Sequence, residues 1–77
     1  MTAPQSQLIL YTRVGCSLCD KAAGLLLERQ HTFRSVDIAG DSTLEARFGL
    51  DIPVLARGDE VLLKGVFSKV RLGKVGL

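Results

Sequence analysis

The chain has 77 residues, an apolar fraction of 47% and a formal net charge of +2. That length leaves room for a single domain, read as residues 1–77, and the apolar content excludes a disordered chain. The weak charge does not mark a nucleic-acid binder, and no apolar run approaches the ~20 residues that span a bilayer.

The N-terminus, MTAPQSQ, is polar and lacks the apolar stretch of a signal peptide, which predicts a cytoplasmic chain. The run from Gln7 to Thr12 (QLILYT) is continuously apolar in its middle and predicts a strand covered on both faces. Arg13-Val14-Gly15 breaks it. From about Ser17 to Gln30, Leu18, Ala22, Leu25, Leu26 and Arg29 recur at helical spacing, which predicts a helix with those residues on one face. Gly24 inside it costs up to about 1 kcal/mol relative to Ala and is assigned to close packing on the sheet.

Thr32 to Ala39 (TFRSVDIA) predicts a second strand, with Val36 and Ile38 on one face and Phe33 on the other. Asp37 near its end reads as a strand-end polar group or a cap for the next helix. Ser42 and Glu45 have the spacing of a capping box, and Gly49 stands where a helix stops, so a short helix is expected from about Thr43 to Phe48. Asp51 to Ala56 (DIPVLA) is a third strand, in which Pro53 pushes Ile52 to extended geometry. Arg57-Gly58-Asp59 reads as a turn rather than an adhesion triplet, and EVLLKG returns as a fourth strand in a hairpin. The last stretch, FSKVRLGKVGL, predicts a short helix with Phe67 and Val70 inward. Lys64, Lys69, Arg71 and Lys74 follow the last acid, Glu60, and read as a solvated basic helix end.

The order is therefore β-α-β-α-β-β-α. The first β-α-β unit needs a crossover, which makes its strands parallel, and the final pair is antiparallel. The expected architecture is an α/β fold, a four-stranded mixed sheet with helices packed on it.

The chemistry concentrates in RVGCSLCDK, where Cys16 and Cys19, the only two cysteines, stand three positions apart. A Cys-X-X-Cys in a cytosolic chain, inside a β-α-β pattern, points to thiol–disulfide exchange. Cys16 falls where the helix begins, and the free N–H groups and dipole there favour a thiolate below the ~8.5 of a free thiol. Cys19 lies one turn further in and is expected to be more buried. Cys16 is thus assigned to attack and Cys19 to resolve the mixed disulfide. Gly15 leaves the approach open, and Arg13 adds a nearby positive charge. Two rival readings are a pair of small buried residues and half of a metal site. Zinc needs at least three protein ligands, and His31 sits roughly 20 Å away at the far end of the helix, as an exposed loop residue. No metal ligand set is assigned.

The residues LYTRVGCSLCDKA, VDI and FGLDIPVL resemble the glutaredoxins, and within the thioredoxin superfamily the short glutaredoxin-like proteins of bacteria. The resemblance runs from the first strand to the final hairpin and implies a thioredoxin-like fold. It implies a cis peptide bond at Pro53, beside the active-site disulfide, and substrate hydrogen bonds from the Ile52 backbone. It places Arg13 at the position that contacts the glutathione carboxylate, and Gly65 in the region that binds the other end of glutathione. Two departures stand out. Ser17-Leu18 replaces the Pro-Tyr of common glutaredoxins, and a lone Gly65 followed by Val66, Phe67 and Ser68 replaces Gly-Gly and an acid.

The expected function is that of a thiol–disulfide oxidoreductase, monomeric and without a bound cofactor. Its partners would be a disulfide-containing protein or small thiol, with glutathione as co-substrate or a thioredoxin-type reductase as electron source. One alternative is an iron–sulfur or metal carrier, in which two chains and outside thiols share a cluster. The other is a binding module that keeps the fold without turnover.

Overall fold

The computed structural model describes residues 7–77, and the polar stretch over residues 1–6 lies outside them. The elements run β1 (Leu8–Thr12), α1 (Ser17–Glu28), β2 (Phe33–Asp37), α2 (Ser42–Phe48), β3 (Val54–Arg57), β4 (Glu60–Lys64) and α3 (Lys69–Lys74). They form one sheet in the order β2-β1-β3-β4. β1 pairs parallel with β2, while the β1–β3 and β3–β4 pairs are antiparallel. The continuous apolar run of β1 is explained by its central place, with side chains covered above and below the sheet.

Two hydrophobic clusters occupy the two faces. Leu8 and Leu10 of β1 pack with Ala22 and Leu26 of α1, Leu55, Leu63, Phe67, and Leu72 of α3. Ile38, Phe48 of α2 and Val54 form the opposite cluster, with Tyr11 and Ile52 against it. The alternation of Leu10 with Tyr11, and of Leu55 with Val54, is the period of two that sends neighbouring side chains to opposite faces. Phe33 packs on the first cluster and Ile38 belongs to the second, as their parity requires. The Tyr11 and Phe48 rings lie 4.6 Å apart, so α2 is held against β1 by aromatic contact.

Several local expectations are corrected. Leu18 does not face the sheet: it is 40% exposed, and Cys19, Ala22 and Leu26 are the buried residues of α1. One position along a helix is a 100° turn, so placing Cys19 inward turns Leu18 out. Gly24 is exposed, and a Cβ there would meet nothing within 4 Å, so close packing does not account for it. The cap of α2 is Asp41, whose Oδ1 accepts the Leu44 N–H at 3.0 Å, and no capping box joins Ser42 to Glu45. In α3 the Ser68 cap sets the frame, Leu72 is fully buried and Val70 is 69% exposed. His31 is half-buried rather than exposed, with Nε2 3.0 Å from the Leu77 carbonyl oxygen. Arg29 donates to the same oxygen at 2.8 Å, which ties the last described residue to the end of α1. No helix among the described residues is long and apolar enough to cross a membrane.

Candidate functional site

Cys16 is the N-cap of α1, with extended backbone (φ −90°, ψ 107°). The turn through Val14 and Gly15 delivers it there, and Gly15 adopts φ +84°, a left-handed conformation that few other residues tolerate. The Cys16 N–H donates to the Arg13 carbonyl at 3.2 Å, and the Cys16 carbonyl accepts the Asp20 N–H at 3.1 Å. Its sulfur does the work of a capping oxygen: the Cys19 N–H donates to Cys16 Sγ at 3.1 Å. One of the unpaired amides of the first turn is thus spent on the thiol.

The two thiols have unequal surroundings. Cys16 is partly exposed, whereas Cys19 is 2% exposed and faces the sheet. Burial pushes the Cys19 thiol up from its ordinary 9.0 to about 11, and its hydrogen bond to Cys16 adds to the shift. Both cysteines are thiols in this structure. A cavity of about 320 Å³ opens beside Cys19, walled by Arg13, Gly15, Asp20, Thr12 and, across from β2, Ser35.

The other expected site residues gather at the same end of the sheet. Tyr11 of β1 pairs with Val54 of β3, so Pro53 continues the register opposite the point where β1 gives way to the cysteine loop. The Ile52–Pro53 bond is cis. Gly65 lies beside it, its N–H shared between the Asp51 carbonyl at 2.9 Å and the Pro53 carbonyl at 3.0 Å. Gly65 has φ +80°, so a glycine suits that turn. The Ile52 side chain packs on the Phe48 cluster. Asp37 closes a local turn by accepting the Ala39 N–H at 2.9 Å and does not cap α2.

Arg13 is the residue whose surroundings differ most from the sequence reading. Its guanidinium donates to Glu45 Oε1 on α2, an ion pair at the protein surface. Glu45 was readable only as a helix-capping partner, and a separation of 32 residues gives no local signal for this contact. Asp41, an equally good N-cap directly before Ser42, was the one hint that Glu45 is free to turn elsewhere.

Among the described residues, no three His, Cys, Asp or Glu side chains gather as a metal site. A cluster bridging two chains would draw on Cys16 from each, since Cys19 is buried, and on outside thiols for the remaining ligands.

Comparisons with known proteins match this geometry. Residues 7–75 fit the family model described as Glutaredoxin-like domain (DUF836). The X-ray structure of protein XcR50 from X. campestris, a structural-genomics target, is similar, with 41% identity and a TM-score of 0.77 over 84% of this chain and 88% of that one. The solution structure of the same protein gives 40% identity and a TM-score of 0.74 over 86% of each chain. The solution NMR structure of protein Ne2328 from Nitrosomonas europaea covers 96% of this chain and 94% of its own, with 22% identity and a TM-score of 0.70, a likeness of fold alone. No curated protein matches. With a thioredoxin-like sheet, a cysteine pair at the start of α1 and a family match over nearly its whole length, the chain belongs to the glutaredoxin-like (DUF836) family.

Proposed function

We propose that the protein is a thiol–disulfide oxidoreductase in which Cys16 attacks and Cys19 resolves. The observation that carries this reading is the asymmetry of the pair. Cys16 sits at the surface with an amide N–H aimed at its sulfur, while Cys19 is buried and keeps its proton to about 11. A thiolate is the nucleophile in exchange, and an incoming disulfide reaches only an accessible sulfur.

The steps balance as follows. The Cys16 thiolate attacks one sulfur of a substrate disulfide, forming a mixed disulfide and releasing the other sulfur as a thiolate. Cys19 then gives up its proton, attacks the Cys16 sulfur and releases the second substrate thiolate. The substrate gains two electrons and the protein is left with a Cys16–Cys19 disulfide. A dithiol, or two equivalents of a monothiol, reverses the sequence and restores the enzyme.

Substrate binding falls to the surface around Cys16. In this reading the Ile52 backbone hydrogen-bonds the bound thiol substrate and Pro53 packs beside the cysteine pair, with Gly65 next to it. A protein disulfide or a small-thiol disulfide is the substrate, with glutathione or a reductase supplying electrons. The test uses single cysteine variants. Cys16→Ser should abolish reduction of any disulfide. Cys19→Ser should form a stable mixed disulfide that mass spectrometry locates at Cys16. Wild-type reduction rates in both variants would overturn the proposal.

A further inference from the structure

We propose that Glu45 sets the substrate preference of the cysteine site, holding the Arg13 guanidinium and so withholding it from small disulfides that carry carboxylates. This rests on the thiol–disulfide reading and adds a substrate class to it: disulfides without a carboxylate near the sulfur, protein disulfides foremost.

Arg13 is coupled to the site in two ways. Its carbonyl accepts the Cys16 N–H at 3.2 Å, and it is one of the residues that line the cavity beside Cys19. It is the one cationic residue among the described residues of that wall, and Asp20 contributes a negative charge. A carboxylate-bearing ligand that reaches the cavity therefore has a single cation to bind, and Glu45 already occupies it. The two side chains are 39% and 37% exposed, so the pair lies open to competition rather than sealed in the core.

The placement of Glu45 is supported locally. Asp41 caps α2, which leaves Glu45 without a capping task. Gly49 leaves the space beside it clear. A Cβ at that position would come within 2.5 Å of the Glu45 carbonyl oxygen and 3.2 Å of its Oε1. Exposed ion pairs are weak and screened by salt, so the preference expected from this one is about 2- to 5-fold.

The experiment compares two disulfides that differ in charge. Reduced protein is mixed with glutathione disulfide, which is anionic, or with bis(2-hydroxyethyl) disulfide, which is neutral. The protein's own dithiol is the reductant, and formation of the Cys16–Cys19 disulfide is followed by mass spectrometry. The readout is the ratio of second-order rate constants, neutral over anionic. Glu45→Gln should lower that ratio about 2- to 5-fold at low salt. In an Arg13→Gln background the same substitution should change it less than about twofold. An unchanged ratio in Glu45→Gln, or an equal drop with Arg13 removed, would overturn the proposal. Rates no faster than those of a free peptide thiol with both disulfides would overturn the exchange reading, while the ratio would still decide the role of Glu45.

Discussion

The backbone N–H of Cys19 donates to the sulfur of Cys16 at 3.1 Å, so the second cysteine of the motif holds the first in place through its main chain while its own thiol is buried. Because the contact comes from the backbone, Cys19→Ser retains it. That variant should therefore still react with a disulfide, and the adduct should persist because no buried thiol displaces it. Its lifetime against wild type, followed by non-reducing mass spectrometry, checks this. An adduct that clears as fast as in the wild type would contradict it.

The raised Cys19 thiol makes stability depend on pH in alkali. Folding keeps this group protonated to about 11, whereas in the unfolded chain it ionises near 9.0. Its contribution is thus fully present below about pH 9 and is lost as pH rises from there through about 11, where the unfolded state binds fewer protons. Urea midpoints at pH 8 and pH 10.5 should fall more steeply for wild type than for Cys19→Ala. Parallel falls would remove the effect.

Gly24 offers a gain in stability. It is exposed within α1, and a Cβ there meets nothing within 4 Å. Gly24→Ala should stabilise the protein by about 0.5–1 kcal/mol, raising Tm by several degrees in a domain of this size. A lower Tm would show a role for this glycine that its surroundings do not.

The start of α2 distinguishes two neighbouring residues. Asp41→Ala should cost about 1 kcal/mol, because the Leu44 N–H loses its acceptor. Ser42→Ala should stay within about 0.5 kcal/mol, as for a surface residue without such a contact. Chemical denaturation of both variants separates the two positions, and equal losses would place the cap elsewhere.

The same segment shows what the sequence makes legible and what it does not. The order of elements along the chain, the β-α-β crossover and the final hairpin follow from periodicity and turn residues, which act locally. The cysteine pair at the start of α1 was readable for the same reason, since the break at Arg13-Val14-Gly15 fixes where that helix begins. The phase of a helix is harder. Leu18 and Val70 are apolar but turned outward, because Cys19 and Leu72 take the inward positions. A choice of cap one residue away, Asp41 instead of Ser42, changes which side chains remain free. The Arg13–Glu45 pair joins two elements distant in sequence, and no spacing rule reports such a contact.

The central claim is that the two thiols differ in role, and competitive alkylation of the reduced wild-type protein tests it most directly. Substoichiometric iodoacetamide at pH 7, followed by peptide mapping, should modify Cys16 at least about tenfold faster than Cys19, as expected when one sulfur is accessible and the other is buried and keeps its proton to about 11. Equal labelling, or preferential labelling of Cys19, would contradict the assignment.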